Sequence, residues 1–239
     1  MGVLRETLDG GAAELGIKIE QDQLDLFEEF YQMVIVTNKN INLTTIIDEK
    51  EFAIKHLIDS LTCLQAVYIK RGAGVLDVGA GAGFPGIPLV ICRPDLVLTM
   101  IEATEKRVKF LKKVISGLGL KDVEAVHTRA ENFGRKKNLR EKYDLVVSRA
   151  VAPLAVLAEY CLPPLRTRGV FIAMKGLHVK EEIKTAQNAL DILGGVVKET
   201  VNIKLPGLGD ERNLVVISKA KATPDAYPRR AGIPAKKPL

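Results

Sequence analysis

The chain has 239 residues, of which 47% are apolar and 27% are charged. This composition excludes a disordered protein and fits one large domain, or one domain with a small appendage. No apolar stretch approaches the roughly 18 residues of a membrane helix, and the first residues lack the apolar core of a signal peptide. The sequence therefore predicts a cytoplasmic protein with no membrane partner.

The charge is concentrated at the end of the chain. The formal net charge is +6, and residues 219–239 contain six Lys or Arg residues against one Asp, which gives +5 for this segment. The remaining residues carry only +1. A basic, Pro-rich tail suits a polyanionic partner, although a merely solvated terminus has the same composition.

The cysteines indicate neither disulfides nor a metal centre. Cys63, Cys92 and Cys161 are odd in number and far apart, and no C-x-x-C spacing is present. Each is expected to be a small buried hydrophobic residue. We therefore predict no metal.

Helical periodicity dominates up to about residue 70. Apolar residues spaced by three and four predict a helix over 21–36. Asp48, with Glu51 three residues later, predicts the start of a second helix that runs to Ile69. We expect residues 1–70 to form an N-terminal helical subdomain.

From residue 71 onwards, short apolar runs alternate with helical segments. Continuous apolar strands separated by helices are typical of a parallel sheet that is buried on both faces. Two late runs without a helix between them predict a closing antiparallel hairpin at the sheet edge. The predicted fold is α/β, with a core over 71–219 and a basic tail over 220–239. The strands are predicted at 74–78, 96–102, 123–127, 143–148, 169–174, 196–203 and 213–218, and the helices at 104–118, 153–162 and 179–190.

A glycine-rich turn follows the first predicted strand. Residues 76–86 read LDVGAGAGFPG, in which Gly79 and Gly81 allow the backbone to bend and to approach a ligand closely. Ligands of parallel sheets bind at the carboxyl ends of the strands, near the point where strand order reverses. Glu102 ends the second strand, and an acid there can accept both hydroxyls of an adenosine ribose. The turn therefore predicts a nucleoside-containing cofactor.

Two cofactor classes fit this turn. Residues 81–86 satisfy G-x-G-x-x-G, which is typical of dinucleotide sites. However, Asp77 just before the turn opposes a pyrophosphate and suits a cation, and Phe84 and Pro85 replace the slim residues that let a pyrophosphate reach the helix. S-adenosylmethionine, which is cationic at sulfur and has no phosphate, is favoured. An NAD-type oxidoreductase and a non-catalytic RNA-binding module remain alternatives.

Three later strand ends carry further candidates. After the third strand, the Ala130 amide and the Glu131 carboxylate could read an adenine, although an acid that merely stabilises a helix start would also occupy position 131. Arg149 ends the fourth strand, where cofactor and acceptor should meet, or forms a surface ion pair. Lys175 ends the fifth strand, beside the acceptor.

Several segments together resemble the bacterial 16S rRNA guanine-N7 methyltransferases, the glucose-inhibited division protein B family. The most specific are LDVGAGAGFPGIPL at 76–89 and YPRRAGIP at 227–234, and INLT at 41–44 and HLIDSL at 56–61 agree with them. The similarity runs nearly end to end. One departure is visible, because family members commonly carry Trp-Asn where this chain has Thr37-Asn38.

The resemblance implies a class I methyltransferase fold, S-adenosylmethionine as cofactor, and N7 of one guanine in the 530 loop of 16S rRNA as the target. The partner would be 16S rRNA or the small ribosomal subunit, and one compact domain favours a monomer. The predicted cofactor site comprises Asp77, Gly79, Gly81, Phe84, Glu102, Ala103, Thr104, Ala130, Glu131 and Arg149. The predicted RNA-binding residues are Asn42, Lys175, Arg229, Arg230, Lys236 and Lys237.

Guanine N7 has an exposed lone pair and no proton, so the predicted reaction requires no catalytic acid or base. Catalysis is expected to depend on positioning, with Arg149 and Lys175 as candidates. His56 and Asp59 lie three apart on a predicted helix, close to the loop that carries Asn42. They are expected to orient this loop over the guanine pocket, and a buried pair with a structural role fits equally well.

Overall fold

The computed structural model describes residues 2–177, 179–209 and 211–239, and in them seven strands form one sheet with helices on both faces. The sheet order is β3-β2-β1-β4-β5-β7-β6. All neighbours are parallel except β7, which runs antiparallel to both β5 and β6. The predicted parallel core with a closing hairpin is therefore confirmed. The strands are β1 Gly74–Val78, β2 Val97–Glu102, β3 Val123–His127, β4 Tyr143–Arg149, β5 Leu165–Lys175, β6 Gly195–Lys204 and β7 Glu211–Lys219.

The helices surround this sheet, and none within the described ranges is long and apolar enough to cross a membrane. Helix α3 is composite, because a π-helical stretch interrupts it. The helices are α1 Val3–Glu14, α2 Gln21–Asn38, α3 (Glu49–Phe52, the π-helical Ala53–Ile58, and Asp59–Leu61), α4 Cys63–Ala66, α5 Gly86–Cys92, α6 Glu105–Gly117, α7 Ala130–Gly134, α8 Leu154–Cys161, α9 Val179–Leu193 and α10 Ile233–Lys236.

Each face of the sheet contributes to its own hydrophobic core. Adjacent strand residues point to opposite faces, so Val75 joins the core under α1–α6, whereas Leu76 joins the core under α7–α9. The N-terminal helices therefore share their core with one face of the sheet. Cys63 lies in the first core and Cys161 in the second, both as free thiols. Burial raises the pKa of both thiols.

Helix α3 begins as the sequence predicts. The side chain of Asp48 accepts a hydrogen bond from the Glu51 amide at 2.9 Å, which satisfies one free N–H of the first turn. The π-helical stretch Ala53–Ile58 was not predicted. π-Helical turns are rare and are often found at functional sites. This one carries His56 towards the carboxyl ends of the strands.

The C-terminal tail folds back onto the body instead of extending into solvent. Lys219 is fully buried at the end of β7, where its ammonium donates to the carbonyl oxygens of Leu162 and Leu165 and lies 2.9 Å from Glu141 Oε1. Further along, Arg135 donates to the carbonyl oxygen of Pro228 at 3.2 Å. Part of the basic charge of segment 219–239, that of Lys219, is therefore buried within the protein.

Candidate cofactor and acceptor site

A cavity of about 480 Å³ opens at the carboxyl ends of β1 to β4. The strand order reverses between β1 and β4, so the cavity lies at the position that the sequence predicts for a ligand. Most of the predicted cofactor residues line this cavity. They are Gly79, Gly81, Phe84, Glu102, Ala103, Ala130, Glu131 and Arg149.

The glycine turn forms the floor of the cavity. Gly79 and Gly81 have φ angles of +76° and +58°, in the left-handed region that side chains disfavour. A Cβ atom at Gly79 would also lie 2.5 Å from Cγ2 of Val151. Glycine is therefore required at this turn, and it leaves bare backbone facing the ligand.

Two amides of the turn already have carboxylate partners. Gly81 donates to Glu102 Oε2 at 3.2 Å, and Gly86, at the start of α5, donates to Asp77 Oδ2 at 2.9 Å. A dinucleotide site needs such amides free to bind a pyrophosphate, and here each donates to an acid. This arrangement disfavours a dinucleotide.

Two residues of the predicted cofactor site, Asp77 and Thr104, do not line the cavity. The Asp77 side chain is fully buried behind the turn, where burial raises its pKa to about 7. It anchors the start of α5 through Gly86. Thr104 contributes its backbone N–H, which donates to Glu102 Oε1 at 2.8 Å.

Glu102 is held rigidly at the wall of the cavity. Each of its carboxylate oxygens accepts one backbone hydrogen bond, from Gly81 and from Thr104, and Arg107 Nη1 lies 4.0 Å away. A carboxylate has about four lone-pair positions, so both oxygens can still accept a hydroxyl. This geometry suits the two hydroxyls of a ribose.

Glu131 also lines the cavity and is likewise buried. Its Oε1 accepts a hydrogen bond of 2.7 Å from the amide of Gly232 in the tail. Tyr160 also lines the cavity. Burial and the neighbouring carboxylates of Glu131 and Glu159 raise the pKa of Tyr160 to about 12. The basic tail is expected from its sequence to fold back beside the site, but no sequence pattern identified Gly232 as the partner of Glu131.

A polar cluster, which we define as Thr44, His56, Asp59, Arg149 and Arg212, lies beside the cavity. Arg149 Nη1 is 2.8 Å from Asp59 Oδ2, and its Nη2 is 3.3 Å from His56 Nδ1. His56 Nε2 is 2.7 Å from Thr44 Oγ1, and Arg212 Nε is 3.2 Å from Asp59 Oδ1. Three of these residues were predicted. Thr44 and Arg212 were not predicted, although Thr44 lies within the segment 41–44 that carries the family resemblance.

His56 is a neutral imidazole in this cluster. Burial, followed by the nearby charge of Arg149, lowers its pKa to about 3. The neutral ring therefore accepts from Arg149 at Nδ1 and donates to Thr44 from Nε2. The ring stacks on Phe84, with centroids 4.6 Å apart and planes inclined by 17°. The acceptor-side loop is thus tied to the glycine turn through His56.

Two of the predicted RNA-binding residues, Lys175 and Arg229, have charged partners within the protein. Lys175 Nζ lies 2.7 Å from Glu182 Oε2 and donates to the carbonyl oxygen of Ala152 at 2.7 Å. Arg229 forms an ion pair of 2.6 Å with Glu159, whose side chain is only 1% exposed. The remaining predicted RNA-binding residues, Asn42, Arg230, Lys236 and Lys237, are exposed.

The chemistry of the cavity fits S-adenosylmethionine. Two buried acids, Glu102 and Glu131, line the cavity together with the glycine turn. The amides of Gly81 and Gly86 already donate to carboxylates and are not free to bind a phosphate. In the described part of the chain, no group of three His, Cys, Asp or Glu side chains could hold a metal ion. The fold and the cavity are those of the class I methyltransferases that use S-adenosylmethionine.

Comparisons with known proteins agree with this class and identify the family. The model of the GidB family, described as rRNA small subunit methyltransferase G, matches residues 23–215. The chain is therefore a member of the rRNA small subunit methyltransferase G family.

Individual relatives are similar along their whole length. The ribosomal RNA small subunit methyltransferases G of Pelotomaculum thermopropionicum and Desulforamulus reducens are 53% and 52% identical to the chain, each over 239 residues and 100% of both proteins. Among solved structures, a SAM-dependent methyltransferase from Aquifex aeolicus gives a TM-score of 0.53 at 20% identity, covering 72% of this chain and 94% of its own. This likeness concerns the fold.

Proposed function

We propose that the protein transfers a methyl group from S-adenosylmethionine to N7 of a guanine in the 530 loop of 16S rRNA. Family membership supports a small-subunit rRNA substrate. The observation that carries the proposal has two parts. The cavity suits a cofactor that contains adenosine and a positive charge, and the adjacent polar cluster contains no side chain free to act as a general base.

Within this proposal, the cavity residues bind and orient the cofactor. Glu102 accepts the ribose hydroxyls, the Ala130 amide and Glu131 contact the adenine, and the turn at Gly79 and Gly81 lies against the remainder of the molecule. When bound, S-adenosylmethionine supplies a methyl group on a positively charged sulfur. The acids of the wall favour that positive charge.

The polar cluster supports N7 as the acceptor atom. Guanine N7 carries no proton, so its methylation needs no general base. Both ring nitrogens of His56 are engaged, and with a pKa of about 3 it is a weak base at neutral pH. Arg149 donates to Asp59 and His56. These residues therefore position the acceptor loop and do not transfer a proton in the reaction.

The RNA side of the site involves exposed residues. Asn42 lies at the edge of the cavity, where its carbonyl oxygen accepts a hydrogen bond of 3.5 Å from Nη2 of Arg107, a residue of the cavity lining. Arg230, Lys236 and Lys237 are exposed on the folded tail and can contact phosphates. We propose that a monomer acts in the cytoplasm on 16S rRNA or the small ribosomal subunit.

The decisive experiment measures methyl transfer from S-adenosylmethionine carrying a labelled methyl group. Small subunits isolated from cells that lack this modification serve as substrate, and 16S rRNA is then cleaved at N7-methylguanine with borohydride and aniline. We expect one label per subunit and one cleavage site in the 530 loop. Subunits that already carry the modification serve as the matched control and should take up no label.

Other results would contradict the proposal. Label at a different atom or loop would exclude the N7 assignment while leaving the methyltransferase class intact. Tighter binding of NADH than of S-adenosylmethionine, measured by isothermal titration, would overturn the choice of cofactor.

A further inference from the structure

The C-terminal segment 227–234 contacts the wall of the cofactor cavity, a role that its basic composition does not suggest. The backbone amide of Gly232 donates to Oε1 of Glu131 at 2.7 Å, across 101 positions of sequence. Glu131 is 3% exposed and lines the cavity. The segment therefore supplies one of the hydrogen bonds that fix a buried acid of the binding site.

A second buried acid anchors the same segment. The Glu159 carboxylate accepts from the backbone amide of Arg229 at 2.6 Å, from its Nε at 3.0 Å and from its Nη2 at 2.6 Å. Pro228 is also buried, and a Cβ atom at Gly134 would lie 3.1 Å from its Cγ. The contacts of Arg229 with Glu159 thus fix the backbone three residues before Gly232.

We propose that segment 227–234 is a positioning element of the cofactor site. Through the Gly232 amide it holds the Glu131 carboxylate in the orientation that accepts the amino group of adenine. This inference rests on the proposed binding of S-adenosylmethionine in the cavity. Arg229 acts indirectly, since its ion pair with Glu159 keeps Gly232 in place.

The physical reason is preorganisation. The Glu131 carboxylate accepts a hydrogen bond from the Gly232 amide. If the amide is removed, a buried carboxylate loses one charge-assisted hydrogen bond and turns towards other donors. The acid then no longer meets the adenine amino group at the correct distance, whereas the ribose contact at Glu102 is unaffected.

The test compares two ligands that differ at one position of the base. S-adenosylhomocysteine carries the 6-amino group, and its purine-riboside analogue carries a hydrogen there while N1 remains an acceptor. The ratio of their dissociation constants, measured by isothermal titration, reports the orientation of Glu131. A general loss of stability lowers both affinities together and leaves the ratio unchanged.

Gly232 offers a matched pair of variants in the full-length chain. Gly232→Pro removes the N–H and also moves the backbone, because proline cannot adopt the φ of +83° at this position. Gly232→Ala keeps the N–H at the cost of some strain at this φ, and no atom lies within 4 Å of its Cβ. Wild type should prefer the adenosyl ligand by about tenfold or more, as expected for a hydrogen bond to a charged group. We expect Gly232→Pro to lose most of this preference and Gly232→Ala to retain it within about twofold.

Arg229 gives an independent second test. Arg229→Gln should reduce the preference as Gly232→Pro does, and Arg229→Lys should restore part of it. Arg166→Gln breaks an ion pair of 2.6 Å with Asp144 that is remote from the cavity, and it should leave the ratio unchanged.

Two results would overturn the inference. If Gly232→Pro keeps the wild-type ratio, the tail does not position Glu131, even though the proposed function stands. If wild type binds both ligands equally, Glu131 does not read the amino group. Failure of wild type to bind either ligand would instead overturn the proposed function itself.

Discussion

The two sides of the cavity are built in different ways. The glycine turn side consists of backbone and one acid from a neighbouring strand, all within residues 77–104. The polar cluster joins residues that lie far apart in sequence, because Asp59 binds Arg149 at 2.8 Å and Arg212 at 3.2 Å. The glycine turn is thus built from contacts that are local in sequence, whereas the polar cluster depends on tertiary ion pairs.

This contrast shows where each side is vulnerable. A turn that depends on positive φ angles is damaged by any added side chain, with little effect elsewhere. A buried cluster of charges is damaged when one partner is lost, because the remaining charges stay buried. Substitutions on the turn should therefore act first on ligand affinity, and substitutions in the cluster should act first on stability.

The largest effect is expected for Asp59→Ala. The Asp59 and Arg149 side chains are 4% and 15% exposed, so the change leaves a buried guanidinium without its carboxylate. We expect the free energy of unfolding to fall by about 3–5 kcal/mol, measured by denaturant titration. A loss of methyl transfer at unchanged stability would show instead that Asp59 acts in the reaction and not in the support of the cluster.

Gly79→Ala should act mainly on the cofactor. The substitution adds strain at a φ of +76° and brings a Cβ within 2.5 Å of Val151. We expect a cost of about 2–4 kcal/mol, expressed chiefly as weaker binding of S-adenosylmethionine in isothermal titration. Gly72→Ala is the matched control, because its φ is +68° and no atom lies within 4 Å. Equal loss of affinity in both variants would refute the local role of the turn.

Glu102→Gln should weaken cofactor binding, with a smaller loss of affinity than Gly79→Ala. The amide keeps the shape of the side chain but replaces one acceptor oxygen by a donor that faces the amide of Gly81 or Thr104. We expect about tenfold weaker binding of S-adenosylmethionine, with a small change in melting temperature. Glu124→Gln, on the adjacent strand β3 and hydrogen-bonded to Thr99, should bind normally.

His56→Gln should change how stability depends on pH. The pKa of His56 is about 3 in the folded protein and near 6.5 when unfolded, so below pH 6.5 the unfolded chain binds a proton that the folded one does not. Wild type therefore loses up to about 1.4 kcal/mol per pH unit from this residue as the pH falls from 6.5 towards 3. The variant lacks this loss.

The measurement is the difference in free energy of unfolding between wild type and His56→Gln from pH 7 to pH 4. We expect wild type to be more stable at pH 7 and its advantage to shrink as the pH falls. A constant difference would mean that His56 titrates alike in both states, and the polar cluster would then be less buried than its contacts indicate.

The sequence predicts the sheet well because its signals are local. The bounds of β1 and β3 agree to the residue, since each is a short apolar run limited by turn residues. Strand β5 begins at Leu165 instead of 169. The polar residues 166–168 carry no strand signal, and in the structure they form an irregularity: Leu165 lies opposite Tyr143, the register then shifts, and Arg168 has a φ of +66°.

The candidate site divides in the same manner. The glycine spacing and one acid at the end of the next strand were sufficient to predict where the cavity opens, because these residues lie close together in the sequence. Counting charges could not separate exposed Arg230 from Arg229, which forms an ion pair with Glu159. Similarly, no local pattern brings Arg212 to Asp59, since that contact exists only after β7 has joined the sheet.

The two fully buried thiols, Cys63 and Cys161, can report local unfolding of the two helical layers. Cys63 lies in the core beneath the N-terminal helices, and Cys161 lies in the core on the other face of the sheet. Burial raises the pKa of both, so alkylating reagents can modify them only after their layer separates from the sheet. The rates of alkylation at the two positions, followed by mass spectrometry, therefore measure separately how often each layer opens.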